Sequence, residues 1–283
     1  MKILTFDIED WFHILDYNET QAVSSWKNFP SRIHKNMDII HDVLKGRNLK
    51  ATFFILAWVA EKYPEIVKKI SKMGYEIGTH TYSHQLVYNQ TKKEFFNDVE
   101  RSIKVIEDIS GKKVKCFRAP GFSITKKNLW AFEIIKNLGI EYDSSIFSAS
   151  RAHGGMKDFE IHKPCILKYS GISIKEFPIN TQKIFNKRYV FSGGGYFRFF
   201  PYFLINYWSK KSDYLMTYFH PRDFDPNQPI LKNLTYLRKF KSYVGLKNCR
   251  SKLEKLLDSY KFSDIKDAAN KIDWHSAPKY NLD

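Results

Sequence analysis

Near the start of the chain, LTFDIEDWFH places three carboxylates, Asp7, Glu9 and Asp10, after the apolar run Ile3, Leu4 and Phe6 and beside Trp11 and Phe12. Negative charge against apolar surface costs free energy unless a cation or a hydrogen-bond network compensates it. Either the strand ends at Asp7 and the acids are solvated, or something positive is brought to them. A second stretch, GTHTYSH, carries His80 and His84. Spacing of four puts two imidazoles on one face of a helical turn, and imidazole is the commonest protein ligand for zinc and related metals. Two histidines and one carboxylate make an open three-ligand site with room for water and a substrate. Arg118 in FRAP, Asp143 in YDSS and His220 in YFHP are further polar groups, each at the end of an apolar run.

The elements that must position these groups follow from the punctuation of the chain. Gly74, Gly111 and Gly139 each close a helical pattern and are followed by a strand pattern, as in repeating βα units. The helix from Lys92 to Ser110 is the clearest: Thr91 and Glu94 make a capping box, and Phe95, Val99, Ile103, Ile106 and Ile109 recur on one face. Seven strands are predicted, near residues 2 to 7, 50 to 56, 75 to 80, 114 to 118, 139 to 143, 172 to 178 and 214 to 219. Several are continuous apolar runs, as parallel strands covered on both faces should be. Asp7, His80, Arg118, Asp143 and His220 then stand at strand ends, where a (β/α) barrel gathers its catalytic groups.

The second half is less regular. From Phe185 to Trp208, three glycines precede a dense aromatic and basic stretch. Helix-start signals favour a core helix entered through Pro201 over a membrane-surface helix. Leu253, Leu256 and Leu257 give the segment from Lys247 to Tyr260 an apolar face that should pack on the outside of the barrel.

A chain of 283 residues with 43% hydrophobic and 16% aromatic content is long and apolar enough for one large folded domain. Cys116, Cys165 and Cys249 are odd in number and lack CxxC spacing, which argues against a disulfide framework or a structural zinc site. The start MKILTFD goes directly into a strand pattern, so a cytoplasmic protein is expected, and no apolar run is long enough for a membrane span. The net charge of +16 favours encounters with nucleic acid, anionic headgroups or phosphorylated substrates. Because the lysines are spread through most predicted helices, a solvated surface is expected and no nucleic-acid partner is assigned.

Taken in order, LTFDIEDW, HTYSH, FRAPGFS and YFHP resemble the motifs of the polysaccharide deacetylases of carbohydrate esterase family 4. SGGGYFRFFPY and FHPRDFDP look like a subgroup associated with bacterial exopolysaccharide and surface-glycan biosynthesis. The resemblance implies an α/β fold, a distorted seven-strand (β/α) barrel. Residues 1–283 would form a single domain with a C-terminal extension, about 222–283, packed on it. It also implies a metal-dependent hydrolase that removes an N-acyl group, acetyl first, from an amino sugar. Asp7 would be the general base, His80 and His84 metal ligands, Arg118 the partner that stabilises the Asp7 carboxylate, and His220 the general acid. The family usually has two adjacent Asp residues, whereas here the chain reads Asp7, Ile8, Glu9, Asp10, so Glu9 and Asp10 are both candidate ligands.

Zinc is the first expectation for the ion, with Co, Ni, Fe or Mn admitted by the same donors. Asp143 sits where the family has a further acidic motif, without the Trp often found beside it. His13, His34, His41, His153, His162 and His275 lack partners at ligand spacing and are expected to be ordinary histidines. The expected partner is an N-acylated glycan, carrier-lipid- or nucleotide-linked, met at the inner membrane face through peripheral contact. The rival readings are deformylation of a lipid-linked amino sugar and a non-catalytic glycan-binding module.

Overall fold

TFDI and TFFI are buried along their whole length, and EIGT at all but its first residue, and the three lie side by side as parallel strands. The computed structural model describes residues 1–15, 17–149, 153–184 and 187–283. Its strands are β1 (Lys2–Ile3), β2 (Thr5–Ile8), β3 (Thr52–Ile55), β4 (Glu76–Thr79), β5 (Cys116–Phe117), β6 (Tyr142–Asp143), β7 (Cys165–Tyr169), β8 (Ile172–Glu176), β9 (Gln182–Ile184), β10 (Lys187–Tyr189), β11 (Leu215–Met216) and β12 (Lys279–Asn281). The helices are α1 (Ile33–Leu44), α2 (Ala57–Lys62), α3 (Pro64–Lys72), α4 (Lys92–Ser110), α5 (Trp130–Asn137), α6 (Gly194–Phe199), α7 (Tyr202–Lys211), α8 (Tyr236–Tyr243), α9 (Leu246–Ser259) and α10 (Ile265–Asn270).

The main sheet runs β12-β7-β8-β6-β5-β4-β3-β2, with all neighbours parallel except the β7–β8 hairpin. Beyond β2 the sheet curls on: Asp7 N–H donates to the Phe219 carbonyl at 2.7 Å, Phe219 N–H to that of Thr5 at 3.1 Å, and β1 pairs with β11. A bridge from Tyr218 to Gly193 carries the wall one segment further. The result is a distorted (β/α) barrel. Phe6 stacks on Phe53 at 5.1 Å in its core, and Phe95, Val99 and Ile106 of α4 are fully buried, each such side chain contributing about 1.5–3 kcal/mol.

All seven predicted strand positions carry strands, and α3, α4 and α5 end at Gly74, Gly111 and Gly139, each with positive φ. The capping box on Thr91 and Glu94 is formed. Strand β7 was not predicted: CILKY alternates buried and open positions and pairs with β8 in a hairpin and with β12. Of the segment from Phe185 to Trp208, Phe185 and Asn186 lie outside the described residues. The rest holds β10, α6 and α7; α7 is entered through Pro201 as expected, but it is only partly buried. Helix α7 buries Ile205 and Ser209 while Phe203 is 68% exposed. Leu253, Leu256 and Leu257 of α9 are buried as expected, and α10 follows a bridge from Ser263 to Ile3.

Candidate active site

Strand β2 delivers Asp7 and, one residue past its end, Glu9. Because side chains alternate along an extended chain, residues two apart share a side, and both line one cavity of about 410 Å³ that Asp10 does not reach. Asp7 Oδ1 accepts from Arg118 Nη1 at 2.6 Å. Arg118, at the end of β5, is fully buried, and its remaining donors are used: Nη1 also reaches Thr5 Oγ1 at 2.7 Å, Nε the Ser144 carbonyl at 3.1 Å and Nη2 the Ser144 hydroxyl at 2.9 Å. This fixes the guanidinium in one place and leaves Asp7 Oδ2 facing His220 Nε2 at 3.8 Å.

His80 and His84 meet in a way the spacing did not predict. The segment after β4 is not a helical turn; Thr81 and His84 have φ of 65° and 53°. The turn is tied down by Asp98 of α4, which accepts from the Tyr82 and Ser83 N–H groups at 3.1 and 3.0 Å, and by Thr81 Oγ1, which accepts from His84 N–H at 3.2 Å. His80 Nδ1 lies 2.8 Å from the Arg118 carbonyl, so it carries the proton and leaves the Nε2 lone pair free. Burial, then the His84 charge, hold the His80 pKa down at about 3, so the ring is neutral. His84 Nε2 is 2.6 Å from Glu9 Oε2. One donor atom from each of Glu9, His80 and His84 lies within 4.8 Å of the others, all three buried. A neutral imidazole with its other nitrogen anchored, a second imidazole and a carboxylate form a donor set that fits a divalent cation. Burial tends to raise the Glu9 pKa, but the neighbouring histidines, His84 foremost, outweigh it and hold the carboxyl below its usual range.

Asp10 is turned the other way. Its carboxylate accepts from Trp11 N–H at 2.8 Å, from Arg32 N–H at 3.1 Å and from the Ser31 hydroxyl, which fastens the start of α1 to the strand end. Geometry therefore groups Glu9, and not Asp10, with the imidazoles.

His220 follows Phe219 at the end of the segment that closes the barrel. Its backbone N–H and its Nδ1 both contact Asp223 Oδ2, at 2.9 and 3.1 Å, and Asp223 Oδ1 is 2.9 Å from Arg198 Nε. Arg198 in turn donates to the carbonyls of Lys241, Ser242 and Val244, so α8 and α6 brace the histidine. Burial works to lower the His220 pKa; Asp223, Glu9 and Asp7 prevail and raise it to about 9. The glycines of SGGG permit this packing: a Cβ on Gly193 would stand 2.0 Å from the Tyr218 carbonyl oxygen.

Asp143 is not at the cavity. It is fully buried, accepts from Ser145 Oγ at 2.6 Å and meets Glu176 of β8, and burial pushes both carboxyls upward. Sequence reading missed Glu176, Arg198 and Asp223. For Asp223 a signal existed, its place three residues after His220, where an acidic residue can reach back to the backbone. His13 and His153, expected to be ordinary, also line the cavity.

Residues 15–142 match the polysaccharide deacetylase family, and residues 144–270 match a domain of unknown function, DUF3473. A peptidoglycan-N-acetylglucosamine deacetylase of Bacillus cereus is 40% identical over 95 residues, which are 33% of this chain and 34% of that protein. This places residues 15–142 in the polysaccharide deacetylase family. A second relative, the peptidoglycan-N-acetylmuramic acid deacetylase PdaC of Bacillus subtilis, is 36% identical over 106 residues, 38% of this chain and 22% of that one. The matched regions thus span about a third or less of these deacetylases. Among solved structures, a Mycobacterium smegmatis protein assigned to the polysaccharide deacetylases superposes with a TM-score of 0.65 at 16% identity, covering 98% of this chain and 92% of its own. A family 4 pseudoenzyme from Bacillus anthracis gives 0.51 at 13% identity, covering 99% and 69%. The fold is therefore shared with a protein described as a pseudoenzyme, and the fold alone does not carry activity. No helix among the described residues is long and apolar enough to cross a membrane.

Proposed function

We propose that this chain is a metal-dependent hydrolase that removes an N-acyl group, acetyl in our reading, from an amino sugar. The observation that carries the proposal is the convergence, on one cavity, of the Asp7–Arg118 pair, the Glu9–His80–His84 group and the His220–Asp223 pair. A divalent cation on Glu9, His80 and His84, zinc first and Co, Ni, Fe or Mn by the same donors, supplies when bound Lewis-acid stabilisation of a carbonyl oxygen and a lowered pKa for water. Asp7, with Oδ1 held by Arg118, accepts a proton from the attacking water at Oδ2. His220 gives the proton on Nε2 to the departing nitrogen, while Asp223 holds Nδ1 and fixes the ring.

That assignment has a pH consequence. A pKa raised to about 9 keeps His220 in its acid form at neutral pH, and the acid form is lost as pH rises through that value. Asp223→Asn removes the hydrogen-bonded charge that supports the shift. The basic limb of the kcat profile should therefore move down by about one pH unit or more. A pH–rate profile in which Asp223→Asn leaves the basic limb in place would remove His220 from the acid role.

The cavity mouth supports a finer reading, that the substrate is a carrier-lipid- or nucleotide-linked intermediate of surface-glycan biosynthesis. Phe199 and Phe240 line the cavity with ring centroids 6.1 Å apart, and Tyr236, Leu237 and Phe203 are exposed nearby in sequence on α8 and α7, interleaved with Lys239, Lys241, Lys210 and Lys211. Exposed aromatic and cationic groups together suit an anionic headgroup layer at the cytoplasmic face of a membrane. The test is acyl release by the zinc-loaded protein from a polyprenyl-diphosphate-linked oligosaccharide, a nucleotide amino sugar, and chitin or peptidoglycan, each in acetylated and formylated form. Faster release from the carrier or nucleotide forms is expected. Preference for the extended polymer would overturn the biosynthetic reading, preference for the formyl series would make the chain a deformylase, and no release from any would leave a glycan-binding module.

A further inference from the structure

Arg222 lines the same cavity and has no part in the chemistry above. It sits two residues after His220, in the short turn Pro221–Phe224. Its Nε and Nη2 are buried and have no hydrogen-bond partner among the described residues. The carboxylates close to it are already engaged: Asp223 by Arg198 and His220, Glu9 by His84. What remains is the face of the Tyr243 ring, 5.9 Å from the guanidinium carbon. Burial, then the like charge of Arg198, pull the Arg222 pKa below its ordinary value, as befits a cation short of counter-charge. A guanidinium left without acceptors costs free energy in the free protein, and that cost is recovered when an acceptor arrives.

We infer that Arg222 is an anion subsite of this cavity, taking a phosphate or carboxylate carried by the sugar whose N-acyl group is cleaved. The planar fork of N–H donors matches both oxyanions, and Lys241, exposed and lining the same cavity, adds positive charge to that cavity. The inference rests on the amino-sugar reading for the identity of the ligand, but not on turnover. An anionic sugar is thus selected over its neutral counterpart by a residue outside the proton-transfer groups.

Binding to the zinc-loaded full chain is measured by calorimetry for N-acetylglucosamine 1-phosphate, N-acetylmuramic acid and neutral N-acetylglucosamine, with wild type, Arg222→Gln and Arg222→Lys. The expected result is tighter binding of at least one anionic sugar by wild type. Arg222→Gln should lose about 10- to 100-fold of it, the range for a charge-assisted hydrogen bond, and Arg222→Lys should recover part. Which anionic sugar responds separates a phosphate source from a carboxylate source. Competition by inorganic phosphate against the preferred sugar on wild type gives the same answer without a variant. Equal losses for charged and neutral sugars, or no preference for an anion in wild type, would overturn the subsite. Anion binding through Arg222 with no acyl release from any substrate would instead refute the hydrolase and leave the subsite standing.

Discussion

Asp7→Asn is expected to slow acyl release by about 10²- to 10⁴-fold, the range for a positioned proton acceptor, while bound metal stays at the wild-type level. Asp7 Oδ1 is committed to Arg118 Nη1 at 2.6 Å, and the residue is not among the three donors that converge for a cation. The amide keeps the side chain's shape but cannot take up a proton at neutral pH. It also faces Arg118 with no charge to offset a fully buried guanidinium, so the variant should melt lower than wild type. Thr5 and Ser144 still accept from the guanidinium, which limits the damage to the fold. Elemental analysis beside single-turnover kinetics decides the matter. An empty metal site in folded Asp7→Asn would make Asp7 a ligand and reverse the proposed roles.

Glu9→Gln, His80→Ala and His84→Ala should each remove metal and activity together, with affinity for the ion falling by at least about 100-fold, beyond the 10- to 100-fold cost of changing a residue that only supports a ligand. Asp10→Asn is the contrast. Its carboxylate accepts from Trp11, Ser31 and Arg32 and lies outside the donor group. An amide in that place offers one acceptor oxygen where two are used, so about 1–3 kcal/mol of stability is expected to go while metal is retained. Thermal melts and metal titration on the four variants give the comparison. Metal lost from Asp10→Asn but kept by Glu9→Gln would exchange the two carboxylates.

The βα order was legible because each device that sets it is local. Gly74, Gly111 and Gly139 take the positive φ that ends a helix, and Thr91 and Glu94 satisfy the first turn of α4 within four residues. Apolar runs such as TFFI declare themselves buried on both faces. Where burial was one-sided, as in CILKY of β7, or where an aromatic stretch could pack on either side, as in α6 and α7, local pattern did not decide the outcome. The partner surface did.

The residue types for a metal-assisted hydrolysis were all present in the linear text: a carboxylate cluster, a histidine pair, an arginine and a late histidine, each at a strand end. Their mutual placement was not. Whether Glu9 or Asp10 joins the imidazoles depends on which way each side chain leaves the end of β2. Asp10 is drawn to the N–H of Arg32 at the start of α1, an interaction across 22 residues. His80 and His84 meet through a left-handed turn pinned by Asp98, not through helical periodicity. The raised pKa of His220 needs Asp223 in hydrogen-bond contact, and Asp223 needs Arg198, whose other donors end on carbonyls more than 40 residues away. Residue type and short-range spacing determine what chemistry a chain can offer. Charge compensation in a buried site is a sum over neighbours brought together by the closed barrel, and only the tertiary structure supplies them.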